Sequence, residues 1–301
     1  VLLSAACFGA MAIFGKLAFA AGVPTGSLVL LRFTAAALLL GALLLLRPSL
    51  RRRDAADQRP LLPAVLVALG LGAFGYAVQA TLYFSALERL DAPLVALVLY
   101  TFPVMVTIGA VLLGRERLTA ARVAALVTAT LGTVLVLAGA GGLGFDTVGV
   151  LLAFGAAVTY TVYILVSDTV LHRLPPVVLT TLVMTGAAAA LGLRTLVSGG
   201  ADVSFGAAGW FWIACIVLVS TVLAVLAFFA GLKRTGASTT SILSTFEPVV
   251  STALAAAVLG EVLTPVQLLG ALLVLAAAVI VQLRPRGAER ADEREAVAAP
   301  V

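Results

Sequence analysis

One carboxylate, Glu247, and two cations, Lys16 and Arg32, stand inside long apolar runs of this chain. A charged side chain in hydrocarbon costs about 2.5–3.5 kcal/mol or more, so it pairs, faces a protein interior or stays neutral. Chemistry is sought there first. Thr240, Ser244 and Ser251 share a helical face with Glu247 and give it a polar lining. Glu247 reads either as a functional carboxylate or as a neutral acid hydrogen-bonded between helices as packing. Lys16 and Arg32 flank a turn near Pro24 at similar distances, which places them level with each other. They suit attraction of a solute carboxylate or phosphate, pairing with Glu247, or snorkelling of their stems to the interface.

Polar aromatic stripes accompany these charges. Tyr76, Gln79 and Tyr83 follow helical i, i+3, i+7 spacing, as do Tyr100, Pro103 and Thr107, and a third stripe holds Thr159, Tyr160, Tyr163 and Ser167. Singly, each reads as interhelical packing. Together they predict a polar, mostly uncharged cavity suited to amphipathic solutes. Pro103 and Pro248 lie ~15 Å into their runs and each deprives the carbonyl four residues back, at Leu99 or Ser244, of its donor. They read as cavity walls or as plain kinks. His172 is the one histidine, and Cys7 and Cys215 lie in apolar runs, so neither a metal cluster nor a disulfide framework is expected. No phosphate-binding glycine loop is present, and neither a cofactor nor direct ATP coupling is expected.

The elements that position these residues follow from composition. The 301 residues are 62% hydrophobic and 11% charged, too apolar for burial in one aqueous core. Apolar runs, punctuated by Pro, Gly and charge clusters, predict spans at 1–21, 25–46, 61–84, 92–113, 119–138, 148–167, 176–197, 209–231, 237–259 and 265–283. The run from Val1 lacks a basic leader and a cleavage site and is expected to be the first span. Residues 284–301 are charged and Ala-rich and are expected to form a disordered cytoplasmic tail. The net charge of +5 does not point to nucleic acid, because fifteen Lys and Arg fall in one set of loops and two in the alternate set. That asymmetry predicts both termini in the cytoplasm of a cell inner (plasma) membrane, and an even span count.

Ala124, Thr128 and Gly132 predict a close helix contact at i, i+4, i+8. Glu116 and Glu261 precede Leu-Thr and are expected to cap the following helices, with Thr119 and Thr264 as N-caps.

The chain repeats itself at an offset of 145 residues. Arg89, Pro103, Val104, Thr107, Glu116, Leu118 and Thr119 meet Arg234, Pro248, Val249, Thr252, Glu261, Leu263 and Thr264. Five spans per copy is odd, so the second copy enters the membrane inverted, as in secondary transporters with midplane sites. Duplication kept only for packing is the bland alternative.

At this point the chain resembles the EamA-type branch of the drug/metabolite transporter superfamily over nearly its whole length. The carriers are Phe8-Gly9 and Lys16, then Leu30-Leu31-Arg32-Phe33, Tyr100-Thr101-Phe102-Pro103-Val104 and Gly114-Arg115-Glu116-Arg117-Leu118-Thr119. They continue with Phe246-Glu247-Pro248-Val249, Gly260-Glu261-Val262-Leu263-Thr264, Gln267 and Gly270. Arg115 separates the Gly-Glu pair that stands intact in the second copy. The resemblance implies an all-α membrane protein of about ten transmembrane helices in two inverted five-helix repeats, 1–138 and 148–283. It also implies export of small metabolites, amino-acid-like or drug-like, by alternating access. Energy would come from protons through Glu247 or from the solute gradient alone. The partners expected are a small-molecule solute and the lipid bilayer; oligomeric state is not legible. The candidate site comprises Glu247, Arg32, Lys16, Tyr76, Gln79, Tyr83, Tyr100, Pro103, Tyr163, Ser244, Pro248 and Ser251. Two other classes stay open: a membrane enzyme acting on lipid-linked substrates, for which a base or metal cluster is missing, and a scaffold without a cavity.

Overall fold

Backbone polar groups in hydrocarbon must be satisfied within the protein, and an Ala/Leu/Val-rich chain does so by coiling into helices. The computed structural model describes residues 1–51, 61–87, 89, 92–116, 118–138, 146–171, 173–197, 199–259 and 264–282, and among these there is no strand. The first half contains α1 (Leu2–Ala20), α2 (Thr25–Leu46), α3 (Leu61–Gly70), α4 (Ala77–Leu87), α5 (Ala92–Leu99), α6 (Phe102–Leu112) and α7 (Ala120–Ala138). The second contains α8 (Thr147–Leu171), α9 (Pro176–Val197), α10 (Ala207–Val217), α11 (Ala224–Thr235), α12 (Ala237–Ser244), α13 (Phe246–Leu259) and α14 (Pro265–Gln282). Seven described helical stretches are long and apolar enough to cross a membrane, and Phe102–Leu112, Ala120–Val136 and Pro265–Ile280 are shorter apolar helices. The expected tail, His172 and Glu261 lie outside the described residues.

Two features recur in both halves and were not expected from the sequence. First, α3 joins α4 through a π-helical segment, Leu71–Tyr76, and α10 joins α11 through another, Leu218–Leu223. A π turn admits one extra residue into a helix and re-aims its side chains, and such turns recur at functional sites. Second, the predicted spans 92–113 and 237–259 are each split. Thr101 turns its N–H and its Oγ1 onto the Val98 carbonyl at 3.2 and 2.8 Å, and Thr245 does the same to Ile242 at 3.1 and 2.6 Å. The helix therefore stops, and Pro103 and Pro248 fall in the first turns of new helices, where a missing N–H is harmless. These prolines start helices instead of kinking them.

The caps explain the other boundaries. Thr264 and Gln267 form a reciprocal capping box on α14: the Thr264 N–H donates to Gln267 Oε1 at 2.9 Å, and the Gln267 N–H to Thr264 Oγ1 at 3.3 Å. Thr119 accepts from the Arg122 N–H at 3.4 Å, as an N-cap does. Glu116 departs from its expected role. Its Oε1 accepts from the backbone N–H of Ser238 at 3.2 Å, so it caps α12, in the other half, and not the helix that follows it.

α7 packs along α14 at backbone contact. A Cβ on Gly132 would stand 2.7 Å from the Gly270 carbonyl oxygen, and one on Gly270 would stand 2.6 Å from that of Gly132. Ala125 and Ala277 are fully buried in the same seam. At the 145-residue offset Ala125 matches Gly270 and Gly132 matches Ala277, so one small-residue pair is used twice. The close face is Ala125, Ala129 and Gly132; Ala124 points outward, one position off the expected stripe. With lipid as apolar as leucine, close packing and not hydrophobic burial holds such helices together. Gly132→Val should therefore lower the detergent-solubilised protein's stability by about 1–3 kcal/mol. Gly15→Ala, where nothing lies within 4 Å, should leave the thermal melt unchanged.

Candidate functional site

Among the described residues, Arg32 is the charged side chain that is buried. It is 3% exposed, held on α2 beside Phe33, and its guanidinium meets three other segments. Nε donates to Thr221 Oγ1 at 2.7 Å, Nη2 to the Tyr76 hydroxyl at 3.0 Å, and Nη1 points to Met11 Sδ at 2.8 Å. Thr221 and Tyr76 both belong to the π-helical segments, one from each half. Thr221 in turn donates to the Ile216 carbonyl, five residues back, at 2.9 Å. The altered register of the π turn thus fixes the hydroxyl that receives Arg32.

From Tyr76 an aromatic chain crosses the bundle. Tyr76 packs on Phe33 at 5.0 Å and on Tyr163 at 5.4 Å, Tyr163 on Tyr160 at 6.0 Å, Tyr160 on Phe102 at 4.8 Å, and Phe102 on Tyr100 at 5.8 Å. The Tyr100 hydroxyl lies within polar reach of the Glu247 side chain. The chain has five tyrosines, and the one outside this run, Tyr83, lies within electrostatic reach of Glu247. Arg32 also lies within that reach, though the two form no ion pair. Glu247 is half-buried in the first turn of α13, where the positive end of the helix dipole favours a carboxylate. Gly9 lets α1 come this close: a Cβ there would meet the Glu247 carbonyl oxygen at 2.9 Å.

The remaining expected residues divide. Pro103 and Pro248 are buried at the two helix breaks. Ser244 donates to the Thr240 carbonyl at 2.9 Å, and Ser251 to the Gly9 carbonyl at 3.0 Å, which ties α13 to α1. Gln79 is half-buried on α4. Lys16 is exposed on α1. Thr221 and Met11 were missed. Ser220-Thr221 is the sole hydroxyl pair between Trp212 and Lys233, a signal that the sequence carried.

Ring-to-ring contacts link the tyrosines across the centre. A cavity of about 310 Å³ opens at one end of the bundle, lined by Pro24, Ser27, Val29, Ala80, Thr81, Ser85, Thr195, Arg194 and Asp202 among others. Asp202 accepts from the Ser204 hydroxyl and N–H at 2.5 and 2.9 Å, bonds that hold its carboxyl below the usual range and keep it ionised. The opposite end carries Arg115, Arg122, Lys233 and Arg234 and is linked across the halves by polar contacts. Arg115 donates to the Leu165 carbonyl at 2.6 Å and lies 4.0 Å from Asp168, while Glu116 holds Ser238 and stands 3.4 Å from Arg122.

An all-helical apolar bundle with a tyrosine-lined, oppositely charged centre has the build of a membrane transporter. The comparisons agree. The EamA-like transporter family matches residues 1–138 and 147–283, and the chain belongs to that family, within the drug/metabolite transporter superfamily. Twenty-nine chains of solved structure match; one crystal structure of a protein is 25% identical, with TM-score 0.78 over 93% of this chain and 94% of that one. No curated protein matches significantly. The chain is thus a membrane protein whose family transports small solutes.

Thr221→Val keeps the shape of the side chain but removes the acceptor of Arg32 Nε. It should cost about 1.5–3 kcal/mol in a detergent melt, with Thr221→Ser close to wild type.

Proposed function

We propose that this chain is a secondary transporter that exports small amino-acid-like or drug-like solutes from the cell across its inner membrane. Two inverted five-helix halves, 1–138 and 148–283, form ten spans with both termini cytoplasmic. They rock about a central site made by Arg32, Tyr76, Tyr83, Tyr100, Tyr163, Glu247 and the broken helices at Pro103 and Pro248.

The observation that carries this reading is the set of polar contacts joining one half to the other at the centre. Arg32 of the first half is held by Thr221 of the second, and Glu247 of the second stands within polar reach of Tyr100 of the first. A relative tilt of the halves must break or remake both. The ends support the same reading: a cavity stands open at one end while Arg115 and Glu116 bind the second half at the other. With basic loops cytoplasmic, this conformer faces outward. The direction, export, follows from the family resemblance. A solute entering between Arg32 and Glu247 replaces tyrosine contacts with its own apolar body and offers charge to either end.

Glu247 is the residue through which a proton would be coupled to this movement. In proteoliposomes carrying a recognised solute, Glu247→Gln should keep expression and solute binding while flux loses its dependence on pH. Wild-type pH-dependent flux in this variant would remove Glu247 from the coupling role and leave the solute gradient as the driving force.

A further inference from the structure

Arg32 keeps a full charge away from water, and every group that it touches is neutral. Thr221 and Tyr76 are hydroxyl acceptors, Met11 offers a thioether, and no described carboxylate forms an ion pair with it. A thioether is a weak acceptor, yet Nη1 is spent on one at 2.8 Å. A buried cation so partnered is costly, and the cost is relieved when an anion meets the guanidinium fork. The open cavity ends on the same two helical stretches. Val29 and Ala80 line that cavity, and Arg32 and Tyr76 lie three and four residues deeper on the same two helical stretches. One helical turn is 5.4 Å, so the Arg32–Tyr76 pair lies about one turn beyond the residues that line the cavity.

Resting on the transport reading above, we infer that Arg32 is the anchor for a carboxylate on the solute, and that the Met11 thioether holds its place until the solute arrives. The planar fork matches a carboxylate through two parallel hydrogen bonds. Nε stays on Thr221, so the approaching carboxylate takes Nη1 from Met11 and shares Nη2 with Tyr76. Methionine suits the exchange, since its unbranched side chain repacks at small cost. A singly charged carboxylate matches the single charge of the Arg32 fork better than a phosphate dianion does.

The test compares matched pairs on purified full-length protein: 3-phenylpropionate against 3-phenylpropionamide, and N-acetylglycine against its amide. The readouts are thermal stabilisation in detergent and flux in proteoliposomes. The carboxylate member of a pair should stabilise the wild type and the amide should not. Arg32→Gln should weaken carboxylate binding at least about tenfold, as expected for loss of a charged hydrogen bond. Met11→Leu, which keeps the packing and removes the sulfur acceptor, should bind the carboxylate as well as wild type or better. If Arg32→Gln does not fold, the wild-type and Met11→Leu comparisons decide. Equal response to acid and amide in both proteins overturns the assignment. Flux of solutes without any carboxylate preference would overturn it too and leave the transport reading standing. Arg32-dependent carboxylate binding without flux would support the site and sink the transport reading.

Discussion

A charge placed among apolar helices must be solvated by the protein itself, and the placing of Arg32 organises the centre of this fold. Its three neighbours come from α1 and from the two π-helical segments, one in each half. An ordinary α-helical register at Leu218–Leu223 would turn Thr221 away from the bond to Ile216 that now aims its hydroxyl. The π segments are thus the backbone's answer to a side-chain demand. They weaken two helices locally, and the Arg32 hydrogen bonds offset that weakness by linking the halves.

The outer architecture was legible in the sequence because lipid imposes a simple rule. Each predicted apolar stretch contains described helices whose outer limits agree with it to within a few residues, and Thr264 is the N-cap of α14 as expected. The breaks were not legible. Pro103 and Pro248 announced an interruption, but whether a proline kinks a helix or opens a new one depends on the preceding residues. Here Thr101 and Thr245 fold back on the carbonyls of Val98 and Ile242 and end the helix first. The π segments left no trace in composition, since LGAFGY and LVSTVL read as ordinary span sequence.

The site was half legible. Glu247, Arg32 and the tyrosines could be picked out because polar groups inside apolar runs need a reason to be there. Their partners could not, because Thr221 meets Arg32 across 189 residues. Lys16 shows the limit of the rule: on sequence it matches Arg32 in depth, yet it faces outward from α1. Glu116 shows another. Its spacing suited a local cap, but the nearest unsatisfied helix N-terminus in three dimensions belongs to α12.

Movement of the halves about this centre requires that the two ends open in turn. The direct measurement uses a cysteine-free protein in liposomes with single cysteines at Ser85, on the open cavity, and at Ser238, buried beside Glu116. Alternating access predicts that an impermeant maleimide reaches Ser85→Cys from outside and Ser238→Cys from inside, and that fixing either state by modification suppresses reaction at the other. Both cysteines reacting on the same molecule, or flux from a protein whose Ser238→Cys never reacts, would contradict it.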